Sequence, residues 1–162
     1  MSESTIIPLG AVINDYQVIS LIGAGGYAGI YKVKSLKNNK LYAMKMESII
    51  SEKKPLQAEI EIMKQLKEDF FPKLRDNGTN KKYNINYLVM DIYGASIDTI
   101  QLYNRKHLDV NTIYNVCFQM LLIIQAFHSY GLVHRDIKPS NFLIQNKKNS
   151  PLVLIDFGIS KK

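Results

Sequence analysis

The sequence predicts an α+β protein of two lobes, with a five-stranded antiparallel sheet and one helix in residues 1–93 and an incomplete, mainly helical lobe in residues 94–162. Three observations lead to this prediction. Short runs rich in β-branched and aromatic residues fill the first part, one helical pattern interrupts them, and a long apolar helical pattern follows Gly94. The chain of 162 residues is long enough for one domain or for two small lobes.

The predicted sheet begins with three runs, "YQVISLIG" from Tyr16, "AGIYKVKS" from Ala28 and "KLYAMKM" from Lys40. Glycines join the first two runs, and the polar turn "LKNNK" joins the second to the third. The stretch "KPLQAEIEIMKQLKE" then carries apolar residues at helical spacing. Two further strands are predicted near Leu74 and at "INYLVMDI", with the turn-rich "NGTNKKYN" between them.

The second part is predicted to begin with a short polar helix at 96–105. Asp109 is a favoured N-cap for the long helix that follows. An apolar stripe at helical spacing marks one face of that helix: Ile113, Val116, Met120, Ile124 and Phe127. The loop "HRDIKPSN" and two short strands, "FLI" and "LVLI", complete the predicted order of elements.

Composition places the chain among ordinary globular proteins, with 46% hydrophobic and 22% charged residues. The longest apolar run, "MLLII", is too short to span a bilayer, and "MSESTIIPLG" does not have the pattern of a secretory signal. The single cysteine, Cys117, cannot form an internal disulfide and is predicted to pack in the core. We therefore expect an intracellular protein, cytoplasmic, nuclear or both, with no membrane partner.

The formal net charge of +7 comes from lysines scattered in pairs rather than gathered in one block. Nucleic-acid binding needs a clustered basic surface, often interleaved with aromatic residues. This pattern therefore excludes nucleic acid as the main partner. It is compatible with attraction to acidic peptides or phosphates.

The stretch "LIGAGGYAGIYKV" is a glycine-rich loop between two predicted strands. Glycine lets the backbone approach phosphates closely because it has no Cβ. A dinucleotide-binding turn would be followed at once by a helix, whereas "GIYKVKS" alternates like a strand. A phosphate-covering loop and a plain glycine-rich hairpin both remain open from this segment alone.

Lys45 lies in the third predicted strand with apolar neighbours on both sides. A lysine that faces inward from a strand must be paired, because an isolated buried ammonium is very costly. Glu59, on the helix that follows, is the natural partner. Each residue alone could be an ordinary surface group, but as a pair they could position the phosphates of a nucleotide.

The loop "VHRDIKPSNFLI" and the later "IDFG" contain the densest set of chemical groups in the chain. Asp136 could receive a hydroxyl proton, while the amide oxygen of Asn141 binds a metal on the same side of the loop. Lys138, between them, could offset charge on a phosphoryl group in transfer. Asp156 adds a second hard oxygen ligand suited to Mg²⁺. A chance loop with this ordered set is very improbable.

This set resembles that of the eukaryotic protein kinases over the whole chain. The resemblance implies a protein-kinase-like two-lobe fold and transfer of the γ-phosphoryl group of ATP to Ser or Thr hydroxyls of protein substrates. It implies an ion pair of Lys45 with Glu59 and a catalytic base at Asp136 assisted by Lys138. Mg²⁺ would be held by Asn141 and Asp156.

The same resemblance implies which residues surround ATP. The glycine loop and its tip would cover the phosphates, with other residues above and below the adenine, a gatekeeper at Met90 and a hinge at 91–93. The implied residues are Ile22, Gly23, Gly25, Tyr27, Ile30, Ala43, Lys45, Met90, Asp91, Tyr93, Leu143 and Ile155. His134 would pack the catalytic loop.

Three details are similar to the casein kinase 1 group, including its tau-tubulin kinase branch. They are "NF" at 141–142, "VMDIYGASI" and "IGAGGYAGIY". Lys138 matches the serine/threonine pattern, and the group implies acidic or already phosphorylated substrates. Ala28 replaces the third glycine of the loop, so we expect weakened or shifted nucleotide binding.

Only four residues follow the "DFG" at 156–158, whereas kinase domains continue into an activation segment and further helices. The sequence therefore predicts a catalytic domain truncated just after this motif, with a long helix whose apolar stripe needs a partner to cover it. An alternative function stays open, that of a truncated, non-catalytic nucleotide-binding or interaction module.

Overall fold

The computed structural model describes residues 7–24, 28–50, 55–103, 108–148 and 150–162. These residues form two compact units. The first comprises the described part of 1–60 together with 73–92, and the second comprises 61–72 together with 93–162. Residues 61–72, which the sequence analysis grouped with the first lobe, therefore cluster with the second unit. The boundary near 93 is where the chain passes for the last time from one unit to the other.

A six-stranded antiparallel sheet forms most of the first unit. Its strands are β1 Val12–Ile13, β2 Tyr16–Ala24, β3 Ala28–Ser35, β4 Leu41–Ser48, β5 Leu74–Asn80 and β6 Ile85–Met90. Their order across the sheet is β1-β2-β3-β4-β6-β5. The five predicted strands are confirmed, and the count of five is wrong by one. The predicted turn "NGTNKKYN" is too long, because its first four residues, 77–80, belong to β5 and pair with β6. The additional strand, β1, has two residues, which is too short for any alternating pattern to reveal it.

One face of this sheet packs against the N-terminal segment. Ile7 and Ile13 are buried together with tyrosine, valine and methionine side chains from alternate positions of the strands. The backbone N–H of Ile7 donates to the hydroxyl of Tyr31 at 3.2 Å, and the N–H of Val18 donates to the carbonyl of Ala11 at 2.8 Å. Residues 7–13 therefore cover this face of the sheet.

Helix α1 spans Pro55–Gln65. It begins at a proline, which suits the first helical position because the N–H that proline lacks would have no partner within the helix. Apolar residues at helical spacing form one buried face of this segment: Leu56, Ile60, Met63 and the following Leu66. Glu59 is buried among them, which places one carboxylate on the apolar face of the helix.

The second unit contains α2 Ile97–Tyr103, α3 Val110–Ser129, one 3₁₀ turn at Pro139–Asn141, and the antiparallel pair β7 Phe142–Ile144 and β8 Leu152–Leu154. Asp109 caps α3 as predicted, because its carboxylate accepts from the N–H of Thr112 at 3.0 Å. An aromatic cluster fills the interior: Phe71, Phe127, Tyr130, His134 and Phe157. This cluster packs the residues after α1 and the end of α3 around the "DFG" segment.

Helix α3 carries two apolar stripes. The residues toward the core include Ile123 and Phe127, which are buried. The second stripe is exposed among the described residues, and we call it the exposed stripe: Val110, Tyr114, Cys117, Phe118 and Leu121. The prediction that Cys117 packs in the core is wrong, because helical spacing indicates that a stripe is apolar but does not say which of two stripes is covered.

Helix α3 also has the length and composition of a membrane-crossing helix. Its 20 residues include none of Asp, Glu, Lys or Arg. Core helices of water-soluble proteins meet the same two criteria. The helix joins the aromatic cluster through Phe127, and its buried residues are Ile123 and Phe127. Ile113, at the start of the predicted stripe, is exposed, so packing within the second unit covers that stripe only toward the C-terminal end of the helix.

Candidate functional site

The glycine-rich loop lies at the turn between β2 and β3. Gly25 and Tyr27 fall outside the described residues, and so does the side chain of Ala28. The described part shows a register shift between Leu21 and Gly23, so the strand is irregular where the loop begins. A Cβ on Gly29 would lie 2.7 Å from the ring of Tyr31, so a larger residue here would force that ring to move.

The predicted pair of Lys45 and Glu59 is present. The Nζ atom of Lys45 lies 2.6 Å from Oε2 of Glu59, and the side chains are 16% and 3% exposed. Strand β4 supplies the lysine and α1 supplies the glutamate. Two charges this far removed from water are stable only when they face each other with good hydrogen-bond geometry, so the pair fixes where the lysine head lies.

Two residues predicted to contact adenine lie opposite each other in the sheet. Ala43 of β4 pairs with Met90 of β6, and both are buried. Ile30 on β3 is half-buried and Ile22 is exposed. Strands β3, β4 and β6 are neighbours in the sheet, so the first unit places Ile30, Lys45 and the predicted gatekeeper Met90 on adjacent strands.

An ion pair that the sequence analysis missed lies at the end of β6. The carboxylate of Asp91 accepts from Nε of Arg75 at 2.8 Å and from Nη2 of the same side chain at 2.7 Å. The two residues lie 16 positions apart. Asp91 lies in the predicted hinge, but Arg75 belongs to none of the motifs, and only the strand register brings the two together.

In the second unit, Asp136 is held by two neighbours in its own loop. Nζ of Lys138 lies 2.7 Å from its Oδ2 atom, and Nδ2 of Asn141 donates to the same oxygen at 3.1 Å and to the backbone carbonyl of Asp136 at 2.8 Å. The hydrogen bond from Lys138 is the main reason that the pKa of Asp136 is lowered, and the same bond raises the pKa of Lys138. Asp136 is therefore a carboxylate, able to accept a proton, at neutral pH.

His134 is buried beneath this loop. Its Nε2 atom lies 3.1 Å from the carbonyl oxygen of Ile155. Since a carbonyl can only accept, Nε2 carries the hydrogen, and Nδ1 is then free to accept from the backbone N–H of Asp136 at 3.3 Å. Burial lowers the pKa of the imidazole, so the ring is neutral. The histidine thus orients the backbone of Asp136 from inside the fold.

Asp156 and Arg135 adopt the left-handed backbone region, with φ of 71° and 66°. Non-glycine residues seldom take this conformation, and its local cost tends to be tolerated at functional sites. The surrounding contacts hold both in place, since Nε of Arg135 donates to the carbonyl of Ile159 at 2.5 Å and the N–H of Ile155 donates to the carbonyl of Asn141 at 3.0 Å. The loop at 134–141 and the "DFG" segment are therefore joined.

The predicted metal ligands, Asn141 and Asp156, offer one amide and one carboxylate oxygen. Hard oxygen donors of this kind suit Mg²⁺, which normally keeps several waters and phosphate oxygens as further ligands. Within the described ranges, no group of three or more His, Cys, Asp or Glu could hold a metal by itself. The donor set thus fits a cation that arrives with a phosphate ligand.

The remaining predicted residues lie in the second unit. Leu143 of β7 is half-buried and forms a bridge with Ser96. Ile155 is half-buried directly before Asp156, and Tyr93 is the first residue of the unit after β6. The predicted residues are thus divided between the units, with Lys45, Glu59 and Met90 in the first and Asp136, Asn141 and Asp156 in the second.

Comparison with known proteins identifies the family. Residues 16–162 match the model of the protein kinase domain. The chain belongs to this family. It is also 31% identical over 154 residues to a probable serine/threonine-protein kinase of Dictyostelium discoideum, an alignment that covers 91% of this chain and 30% of that relative. Family membership confirms the predicted kinase fold class, and the chain spans about a third of the relative's length.

Proposed function

We propose that this kinase is an ATP- and Mg²⁺-dependent serine/threonine kinase. The observation that carries the proposal is the geometry around Asp136, whose carboxylate is ionised and fixed by Lys138 and Asn141. The coarser conclusion, a protein kinase, rests on the family match. The choice of Ser and Thr rests on Lys138 and on the printed description of the Dictyostelium relative.

In the proposed reaction, the oxygen of a substrate hydroxyl attacks the γ-phosphorus of ATP, and the bond from that phosphorus to the β–γ bridging oxygen breaks. The hydroxyl proton passes to Asp136, and ADP leaves with the electron pair of the broken bond. Lys138 offsets negative charge on the phosphoryl group in transfer. Lys45, tethered by Glu59, contacts the phosphates.

Asn141 and Asp156 would hold Mg²⁺ in this proposal, and the bound ion would supply positive charge to the β- and γ-phosphates. The protein's own contribution is to fix its donors beforehand. Asn141 has its amide nitrogen engaged by Asp136, which leaves the amide oxygen as the ligand. His134 and the aromatic cluster hold the backbone on both sides of Asp156.

A more specific proposal concerns the protein substrate. The three sequence details shared with the casein kinase 1 group favour acidic or already phosphorylated Ser/Thr sites, and the formal net charge of +7 is compatible with them. We also propose an intracellular setting, cytoplasmic, nuclear or both, because ATP is the phosphoryl donor. We propose neither nucleic acid nor a membrane as a partner.

The test is phosphoryl transfer from labelled ATP to an acidic, Ser-rich protein such as casein, measured with the full-length kinase. Asp136→Asn and Lys45→Met should each lower the rate, the first by roughly a hundred- to ten-thousandfold, the typical share of acid–base catalysis. Asp109→Asn is the matched control, since asparagine also caps a helix. Undiminished transfer by either variant would contradict the assigned roles.

The same experiment distinguishes the enzyme from the alternative, non-catalytic function. Wild type that is stabilised by Mg-ATP but transfers no phosphate to any protein would favour a non-catalytic nucleotide-binding or interaction module. Transfer that disappears in Asp136→Asn, while Mg-ATP still stabilises that variant, would support the enzyme.

A further inference from the structure

We propose that Arg75 is a positioning residue for nucleotide binding, and that it acts through Asp91 on the backbone that the adenine base would contact. The inference rests on the proposed function, because it takes residues 91–93 as the adenine-binding segment. It assigns a role to a residue outside every motif identified in the sequence.

The first observation is the form of the contact. Arg75 uses two nitrogens, Nε and Nη2, on the two different oxygens of Asp91, at 2.8 and 2.7 Å. A two-pronged pair of this kind fixes direction as well as distance, because the guanidinium is a rigid planar fork. The ion pair between Lys37 and Asp15 in the same unit has a single short contact and is more exposed, at 73% and 47%, so it provides a natural comparison.

The second observation is the position of Asp91 in the sheet. Strand β6 pairs with β4 on one side and with β5 on the other, and both ladders end at Met90, which faces Ala43 and Leu74. Asp91 is thus the first residue after β6 that neither neighbouring strand holds by ladder hydrogen bonds. Its side-chain pair with Arg75 continues the attachment to β5 one residue beyond the end of the ladder.

The third observation is an irregularity in β5. The register shifts between Leu74 and Asp76, so Arg75 is the extra residue of a bulge. Bulges redirect a side chain and occur often beside functional sites. Here the bulge lies one pair before the end of the ladder, and the residue it carries reaches Asp91. The next residue, Asp76, interacts with Tyr16. Burial is the main reason that the pKa of the Tyr16 hydroxyl is raised, and the Asp76 carboxylate raises it further.

These observations indicate that Arg75 fixes the backbone at Asp91 before the ligand binds. Hydrogen bonds to a base edge require donors and acceptors that are held in place before the ligand arrives. Where the ladders end, the backbone would otherwise gain rotational freedom, which binding would have to remove. The ion pair removes that freedom in advance, so its loss should weaken binding of the base and leave contacts to the phosphates unchanged.

The experiment compares three probes by calorimetry on the full chain: Mg-ATP, adenosine and Mg-tripolyphosphate. Arg75→Met and Asp91→Asn should each weaken adenosine and Mg-ATP by about tenfold, within the range measured for coupled neighbours. Tripolyphosphate binding should stay unchanged. The double variant should bind adenosine no more weakly than either single variant, and Arg75→Lys, which keeps the charge but loses the fork, should lie between wild type and Arg75→Met.

Lys37→Met is the matched control, because it breaks the other ion pair and should leave all three affinities unchanged. Arg75→Met that binds adenosine like wild type, or that loses tripolyphosphate in the same proportion, would overturn the positioning role alone. Wild type that binds neither adenosine nor Mg-ATP would overturn the proposed function and this inference with it. A thermal melt of each variant confirms that the folded protein is being compared.

Discussion

The side chains around Asp136 contact residues that are close to them in the sequence and belong to the same motif. Asp136, Lys138 and Asn141 lie within six positions of one another and make their bonds inside one loop. Sequence reasoning could therefore find them, because the order of residues already implies the geometry. Their assignment as catalytic and metal-binding groups remains a prediction that the proposed kinetic experiment tests.

The surroundings of Arg75 and Cys117 could not be predicted from the residues next to them in the sequence. The contact of Arg75 with Asp91 depends on a register shift that no local pattern announces. The apolar neighbours of Cys117 predict a core position, yet it lies on the stripe of α3 that the described residues leave uncovered. In both cases, the deciding information is which other segment lies nearby in space, and composition alone does not contain it.

His134 leads to a prediction about pH. Burial lowers its pKa below the ordinary 6.5, so between the two values the unfolded chain takes up a proton that the folded protein does not. The free energy of unfolding should therefore fall as the pH decreases below about 6.5, the ordinary pKa of histidine. Urea unfolding at a series of pH values measures this slope.

The comparison for this prediction is between two histidine variants. His134→Phe keeps an aromatic ring but cannot titrate, so it should unfold more easily at pH 7 and lose the part of the slope due to His134. His128→Gln, at an exposed position near the end of α3, should keep that part. An unchanged slope in His134→Phe would show that this buried histidine does not cause the acid destabilisation.

At the scale of elements, the sheet was predictable where strands are long enough to alternate. Strands β2, β3, β4 and β6 each have six or more residues and include β-branched or aromatic side chains. Strand β5 lacks this pattern, because the turn signal "NGTN" lies inside the strand and pairing with β6 keeps it extended. The two-residue β1 gave no such pattern. What stabilises it is the packing of residues 7–13 on the sheet face, a tertiary effect that a local window cannot detect.

The N-terminal segment offers a matched pair of substitutions. Ile7 is 2% exposed and Leu9 is 66% exposed, two positions apart. Ile7→Ala should lower the free energy of unfolding by about 2–5 kcal/mol, the usual cost of a large cavity in a core, whereas Leu9→Ala should change it by less than about 0.5 kcal/mol. Chemical denaturation measures both, and equal effects would show that this segment does not cover the sheet in solution.

At the scale of the whole molecule, the exposed stripe of α3 contrasts with the basic surface. Tyr114, Phe118 and Leu121 are 76%, 56% and 64% exposed, and they follow the spacing of one helix face. Contiguous apolar surface of this kind favours association. The 162-residue chain alone should therefore form oligomers or aggregates, despite a net charge of +7 that opposes them.

Sedimentation or light scattering tests this expectation. The double variant Phe118→Gln and Leu121→Gln should shift the chain toward monomer, because it interrupts the exposed stripe at two adjacent turns. Leu9→Gln removes a single exposed apolar side chain in the other unit and should leave the distribution unchanged. A monodisperse, monomeric wild-type chain would contradict the prediction.

The exposed stripe contains a thiol, that of Cys117. Cys117 is the only cysteine in the chain, and it lies on that stripe, so any thiol-specific reagent modifies the protein at one position. Since no Lys or Arg occurs between Lys106 and Arg135, trypsin releases the whole helix as a single labelled peptide. The rate of alkylation at this atom thus reports directly whether another segment, a second copy or a partner covers α3, with no change to the sequence.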